Sequence, residues 1–296
     1  MSGRITRRKA LIASMLAIPA LSLPAASAFA VPSERVDLDA AFKDLEAKTG
    51  ARLGVAALDT ASDSKIEYRS HERFAMCSTF KFLAAAAVLA RVDRKEEQLD
   101  RTITYKKGDL VAGSPATGKH VDDGMTLGAL CEAAITLSDN TAGNLLLDNI
   151  GGPKGLTQYA RSLGDATFRL DRRETELNEA KPGDPRDTIT PADILKDLQK
   201  TVLGNALSGS SRDQLIEWML ASKTGDKRLR GGLPKDWNVG DKTGTSDSGM
   251  ANDIAVIWPP SRKPILLAVY LYDPKGTADS RNEIHQKVAR LVAENI

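Results

Sequence analysis

Apolar positions along this chain change their period twice, and the changes divide it into three stretches. Val36, Leu38, Ala41, Phe42 and Leu45 recur at helical spacing as far as Lys48, and Gly50 closes the run. Leu53 to Leu58 is short, continuously apolar and bounded by turn residues, which predicts a buried strand. Asp59 to Ser64 then turns the chain into a second strand near Ile66-Glu67-Tyr68. From Thr79 to about Leu207 the signals are almost all helical. Within that block Gly151-Gly152-Pro153 separates two helices, and Thr190-Pro191-Ala192-Asp193 supplies a cap, a first-turn proline and an acid. Strand signals return at Asn238 to Thr243, Asn252 to Trp258 and Ile265 to Tyr272. Ser280-Arg281-Asn282-Glu283 reads as a capping box that opens a last helix to about Asn295.

Strands at both ends with helices between them predict an α+β fold. A mainly antiparallel five-stranded sheet would be assembled from the two chain ends, with the terminal helices on one of its faces. This divides the mature chain into a discontinuous α/β lobe, residues 31–76 with about 208–296, and a helical lobe, residues 77–207. The second lobe includes a charged loop at 171–187. The groove between the lobes is the natural ligand site.

The first thirty residues fit neither lobe. Arg4, Arg7, Arg8 and Lys9 precede an apolar run from Ala10 to Ile18, and Ala28-Phe29-Ala30 offers a small-x-small cleavage site. That is the layout of a signal peptide over residues 1–30, with a mature chain from about Val31 in the periplasm or outside the cell. Pro19 and Pro24 argue against a membrane anchor, so no stable membrane association is expected once the signal is removed. The paired Arg7-Arg8 also permits the twin-arginine route.

Composition narrows the function. Hydrophobic residues make up 42% and charged residues 27%, which supports a packed core. The formal charge of +2 comes from the leader, since setting its four bases aside turns the excess of two bases into an excess of two acids. With 5% aromatic residues there are few platforms for base stacking, so nucleic acid is not an expected partner. Cys77 and Cys131 stand far apart without a C-x-x-C, and His71, His120 and His285 are scattered. No metal or redox cofactor is expected, and both cysteines read as buried free thiols.

Four short motifs carry candidate chemistry. In Ser78-Thr79-Phe80-Lys81, helical spacing puts Lys81 beside the Ser78 hydroxyl. The apolar run that follows buries the amine, and desolvation favours its neutral, proton-accepting form. Ser78 at a helix start also aims its own N–H at a developing oxyanion. Ser138-Asp139-Asn140 breaks a helix while offering a hydroxyl and an amide. Arg172-Arg173-Glu174-Thr175-Glu176-Leu177-Asn178 lets Glu174 turn inward with Asn178 to fix a water. Asp241-Lys242-Thr243-Gly244-Thr245 ends a strand with a cation, two hydroxyls and a glycine that admits a ligand close to the backbone. Singly, each is weak; S-x-x-K arises by chance about once in a chain this long.

Their order is more specific. Ser78-x-x-Lys81, Ser138-Asp139-Asn140, Glu174-x-x-Leu177-Asn178 and Lys242-Thr243-Gly244 follow one another as in the class A serine β-lactamases, which the mature chain resembles along essentially its whole length. The resemblance implies hydrolysis of the lactam amide of penicillins and cephalosporins by a monomer. Ser78 would be acylated, and Lys81, or Glu174 through a water, would take its proton. Ser138 and Lys242 would serve the departing nitrogen, and the N–H groups of Ser78 and Thr245 would form the oxyanion hole. Glu174 and Asn178 would hold the hydrolytic water, and Asn140 would bind the drug's acylamide. Thr243, Gly244 and Thr245 would line the substrate, and Arg172 with Asp187 would clamp the loop.

The pattern has departures. Thr175 follows the glutamate where many relatives have a proline in a cis peptide. Ala251 stands where many carry an arginine for the substrate carboxylate, and Arg228 resembles an alternative arginine. Gly113 replaces a gate aromatic. Cys77 resembles one half of a disulfide found in some members, but Ser246 occupies the partner position. A penicillin-binding D,D-peptidase and a β-lactam sensor domain share the serine and lysine, but both lack the loop that carries Glu174 and Asn178.

Overall fold

The computed structural model describes residues 37–296; the segment read as a signal peptide, and Val36, lie outside them. Helix α1 (Leu38–Thr49) starts where the Asp37 carboxylate accepts from Ala40 N, and it stops at Gly50, whose left-handed φ of 73° suits a residue without Cβ. Strands β1 (Arg52–Asp59) and β2 (Lys65–Tyr68) form the first hairpin. After a two-residue β3 (Phe74–Ala75), a 3₁₀ turn at Cys77–Thr79 feeds α2 (Phe80–Asp93). Phe80 to Ala90 are all buried, so α2 is a central helix with no solvent face along that length.

The short β4 (Thr102–Ile103) and β5 (Met125–Thr126) pair with each other before α3 (Leu127–Thr136), α4 (Asn140–Asn149) and α5 (Gly152–Ser162). Gly151 at φ 87° makes the break between α4 and α5 that the Gly-Gly-Pro run predicts. The charged loop returns to β6 (Thr188–Ile189), which pairs with β3. Next, α6 (Pro191–Leu198) opens on Thr190, whose hydroxyl accepts from Asp193 N. Helices α7 (Gly209–Leu220) and α8 (Leu229–Gly232) precede β7 (Asn238–Thr245), β8 (Met250–Trp258), β9 (Ile265–Tyr272) and the closing α9 (Ala278–Asn295).

The five-stranded sheet has the order β2-β1-β9-β8-β7 and is antiparallel at every pairing, as the α+β reading requires. Period-two alternation sends Leu53, Val55 and Ala57 of β1 to one core, where α1 (Phe42, Leu45) and α9 (Ile284, Val288) cover the sheet. Ala56 and Leu58 face the other core, with Tyr270 of β9 and the buried side of α2. Burial on both faces explains why β1 reads as continuously apolar rather than alternating.

Three readings change. The stretch from Thr79 to Leu207 is interrupted by β4, β5 and β6, each too short to show a period. Strands β7 and β8 run on to Thr245 and back from Met250, so the ladder extends past the predicted ends to the Thr245–Ala251 pair. Helix α9 begins earlier than its predicted box: Thr277 is the cap, accepting from Ser280 N at 3.1 Å. Asp273 accepts from Gly276 N at 2.8 Å and holds the preceding turn, which places Thr277 rather than Ser280 at the first free N–H groups.

Candidate active site

The nucleophile candidate sits in the 3₁₀ turn ahead of α2. Cys77 takes a φ of 46° to aim this turn, a conformation that costs a non-glycine residue about 1–2 kcal/mol. One turn on, Lys81 Nζ lies 2.8 Å from Ser78 Oγ, as the three-residue spacing predicts. The same amine lies 2.9 Å from Ser138 O, 2.6 Å from Asn140 Oδ1 and 2.9 Å from Glu174 Oε1. Four oxygens around three protons fix the amine in place while leaving one contact purely electrostatic. Gly143 on α4 makes room for it: a Cβ there would stand 2.7 Å from Lys81 Cε.

Glu174 reaches this centre from the charged loop. Its Oε1 accepts directly from Ser78 Oγ at 3.0 Å, where the sequence reading placed a water between them. Its Oε2 accepts from Asn178 Nδ2 at 2.6 Å, and Asn178 sits on a short 3₁₀ helix at Glu176–Glu179. The Glu174–Thr175 peptide is cis. At the loop's neck, Asp187 accepts from Arg172 Nε at 2.6 Å and from the N–H groups of Asp171 and Arg172 at 2.8 and 2.9 Å. The Arg172–Asp187 clamp is therefore present, with Asp187 fully buried.

Sequence reasoning missed the loop's second fastening. Asn144 on α4 donates to Glu174 O and accepts from Glu174 N, each at 2.9 Å. A side-chain amide can pair with both the backbone N–H and the backbone C=O of one residue in this way. Asn144 follows the Ser-Asp-Asn motif by one helical turn, and that spacing was the available signal.

Between α3 and α4, Ser138 holds a φ of 57° and Asp139 caps α4. The Asp139 carboxylate also accepts from Ala116 N, Thr117 N and Thr117 Oγ1, which ties the loop carrying Ala112 and Gly113 to the motif. Asn140 donates through Nδ2 to Ala112 O at 2.7 Å. Its amide is thus engaged at both ends, a stiffer arrangement than a free arm for a drug amide.

Opposite stands β7, the outer strand. Lys242 Nζ donates to Ser138 Oγ at 3.0 Å and to Thr243 O at 2.7 Å. Gly244 lets the strand press on the nucleophile's turn, because a Cβ there would meet Met76 O at 2.7 Å and Ser78 N at 3.2 Å. Thr243 Oγ1 shares a hydrogen bond with Thr224 Oγ1 at 2.7 Å. Arg228 lies beneath the strand end, donating to Gly244 O at 2.9 Å and Thr245 Oγ1 at 2.6 Å. Thr245 pairs in register with Ala251, so Arg228 brings a guanidinium to the place where Ala251 has none.

Burial acts on both lysines. It lowers Lys81 below the ordinary lysine range, and the adjacent Glu174 carboxylate resists that fall. It drives Lys242 well below that range, with the charge of Lys81 adding to the effect. Burial also lowers Arg228 and, with Glu174 nearby, pushes the Cys77 thiol up to about 12. Cys77 and Cys131 are free and buried. Among the described residues, no group of three or more His, Cys, Asp or Glu is placed to hold a metal ion.

A cavity of about 840 Å³ opens over this centre, with Gly113, Asn140, Asn178, Thr245 and Ser246 among its walls. All the candidate residues converge on the cleft between α2, α4, the charged loop and β7. The β-lactamase enzyme family matches residues 37–296. OXY-1 β-lactamase of Klebsiella oxytoca is 49% identical over 86% of this chain and 87% of its own. A β-lactamase of Citrobacter koseri is 46% identical over 98% of each chain. Among solved structures, an ancestral class A β-lactamase (GNCA) is 61% identical with a TM-score of 0.86, covering 88% of this chain and 100% of that one. A putative class A β-lactamase, PenP of Rhodopseudomonas palustris, is 59% identical at the same TM-score, covering 88% and 99%. The chain belongs to the class A β-lactamases.

Proposed function

We propose that the protein hydrolyses penicillins and cephalosporins through an acyl-enzyme on Ser78, and that Glu174 primes the water that clears it. One observation supports this above the others: Ser78 Oγ lies within 3.0 Å of both a buried amine and a buried carboxylate. In the first step Ser78 Oγ bonds to the lactam carbonyl carbon, and its proton passes to Glu174 or Lys81. The carbonyl oxygen, now negative, accepts from the N–H groups of Ser78 and Thr245. The carbonyl re-forms as the C–N bond breaks, and Ser138, backed by Lys242, hands its proton to the nitrogen. Ser138 is reprotonated by the proton first taken from Ser78, relayed through Lys81, so Glu174 is again a carboxylate for the second step.

In the second step a water held by Glu174 and Asn178 attacks the ester and gives its proton to Glu174. The carbonyl re-forms, the bond to Ser78 Oγ breaks, and the serine regains its proton, for a net addition of one water. Asn178 Oδ1 is buried without a protein partner, which leaves it free to accept from that water. The substrate carboxylate would lie against Thr243, Thr245 and Arg228, and the acylamide beside Asn140.

The leader pattern supports export, and a monomer is the expected state. Among the described residues, no helix is long and apolar enough to cross a membrane.

The test is Glu174→Gln followed by mass spectrometry after mixing with a penicillin. A rapid burst and a persistent adduct on Ser78 are expected, because acylation keeps Lys81 while deacylation loses its base. Steady turnover at the wild-type rate would remove Glu174 from the mechanism.

A further inference from the structure

A second cavity, of about 360 Å³, lies on the far side of the β7 end from the first, and Thr245 lines both. Its walls carry Lys223, Lys227, Arg228 and Arg281 against a single acid, Asp226. That acid is engaged elsewhere, accepting from Arg230 Nη1 at 3.3 Å. Among the described residues, none of the four cations has a carboxylate oxygen within 4 Å, whereas all three arginines of the charged loop do. Lys223 and Lys227 are exposed, and Arg281 is half-buried with its Nε donating to Asp273 O at 2.9 Å. A concave wall with four cations against one acid that is already engaged attracts anions into itself.

We propose that this cavity sorts cephalosporins by the charge of the substituent on C3, favouring anionic over cationic groups. The proposal rests on the reading of the site given above. With the lactam carbonyl between Ser78 N and Thr245 N and the acylamide toward Asn140, the fused ring lies toward Thr243, Thr224 and Arg228. In a cephalosporin, C3 is bonded to the carbon that carries the ring carboxylate. A C3 substituent therefore leaves the ring beside Arg228 and enters the space bounded by Lys223, Lys227 and Arg281. Arg228 serves every substrate through the ring carboxylate, so Lys223 and Lys227 are the residues that discriminate. Penicillins have no such substituent and should be indifferent to these two lysines.

The test compares two cephalosporins with the same C7 acylamide, one with a carboxylate on its C3 substituent and one with a quaternary ammonium there. Their kcat/KM ratio is measured in the wild type and in Lys223→Gln/Lys227→Gln, so that the intrinsic reactivity of each ring cancels. The anionic-to-cationic ratio should fall about tenfold in the variant at low salt, and the wild-type ratio should shrink as ionic strength rises. Lys223→Glu/Lys227→Glu should push the ratio lower still. An unchanged ratio in both variants overturns the proposal. A cephalosporin with an uncharged C3 methyl group, followed by mass spectrometry of the Ser78 adduct, separates the two readings. If it fails to acylate Ser78, the mechanism is at fault; if it acylates normally while the ratio stays fixed, only the C3 assignment falls.

Discussion

The helical and strand walls of the cleft each bury a lysine completely, and they treat it differently. Lys81 on α2 has Glu174 at 2.9 Å, whereas Lys242 on β7 has a hydroxyl, a carbonyl and, among the described residues, no carboxylate oxygen within 4 Å. Both are fully buried, so desolvation acts on each; the difference lies in the partner. The helical wall holds its charge through an ion pair and has a route for moving a proton. The strand wall keeps a cation under stress, ready to be relieved by an anion that arrives from outside.

Replacing each lysine by methionine should break this comparison most sharply. Lys81→Met leaves the Glu174 carboxylate buried without its cation. We expect a loss of about 3–5 kcal/mol in chemical denaturation and at least about a thousandfold in kcat/KM. Lys242→Met removes a buried charge that has no carboxylate in direct contact among the described residues, Asp241 and Glu174 acting on it only through space. Stability should hold or rise by about 1–2 kcal/mol while activity falls about a hundredfold. Its folded pKa lies below its unfolded one, so through that window the unfolded chain holds a proton that the folded chain has released. Wild-type stability therefore rises with pH there, and the methionine variant should show a shallower slope in denaturation across alkaline pH.

Smaller changes sharpen the contrast. Asn144→Leu deprives the Glu174 backbone N–H and C=O of a partner, and about 2 kcal/mol of stability should go with it. Its stopped-flow traces should show deacylation slowed more than acylation, because the water site moves with Glu174. On the strand side, Arg228→Ala should raise KM for a penicillin about tenfold and leave kcat nearly alone, if its contact is equal in ground and transition states. A larger loss in kcat would instead mark Arg228 as a group that acts in the transition state.

The sequence revealed most where chemistry and local geometry coincide. Ser78 and Lys81 lie one helical turn apart, so their spacing alone placed them in contact. Arg172 and Asp187 were legible only through the family resemblance, because the fourteen intervening residues carry no period. Asn144 left only its one-turn spacing from Ser-Asp-Asn as a signal: an asparagine within a helix is otherwise ordinary, and its role depends on a loop thirty positions away. β3 and β6 escaped because two residues cannot alternate. The start of α9 was misplaced because Thr277 and Ser280 are equally good caps, and the turn held by Asp273 chooses between them.

Gly143 and Gly244 also set what heredity can do with this cleft. A gene copied under drug selection is altered one base at a time, and every amino-acid change at a glycine codon adds a side chain. At these two positions the added carbon would land on the Lys81 stem or on the backbone of the nucleophile's turn. Resistance profiles should therefore drift through the rim residues Ala112, Asp247 and Ser248, which line the larger cavity without touching the reacting groups. The two glycines should stay silent in any lineage that keeps its activity.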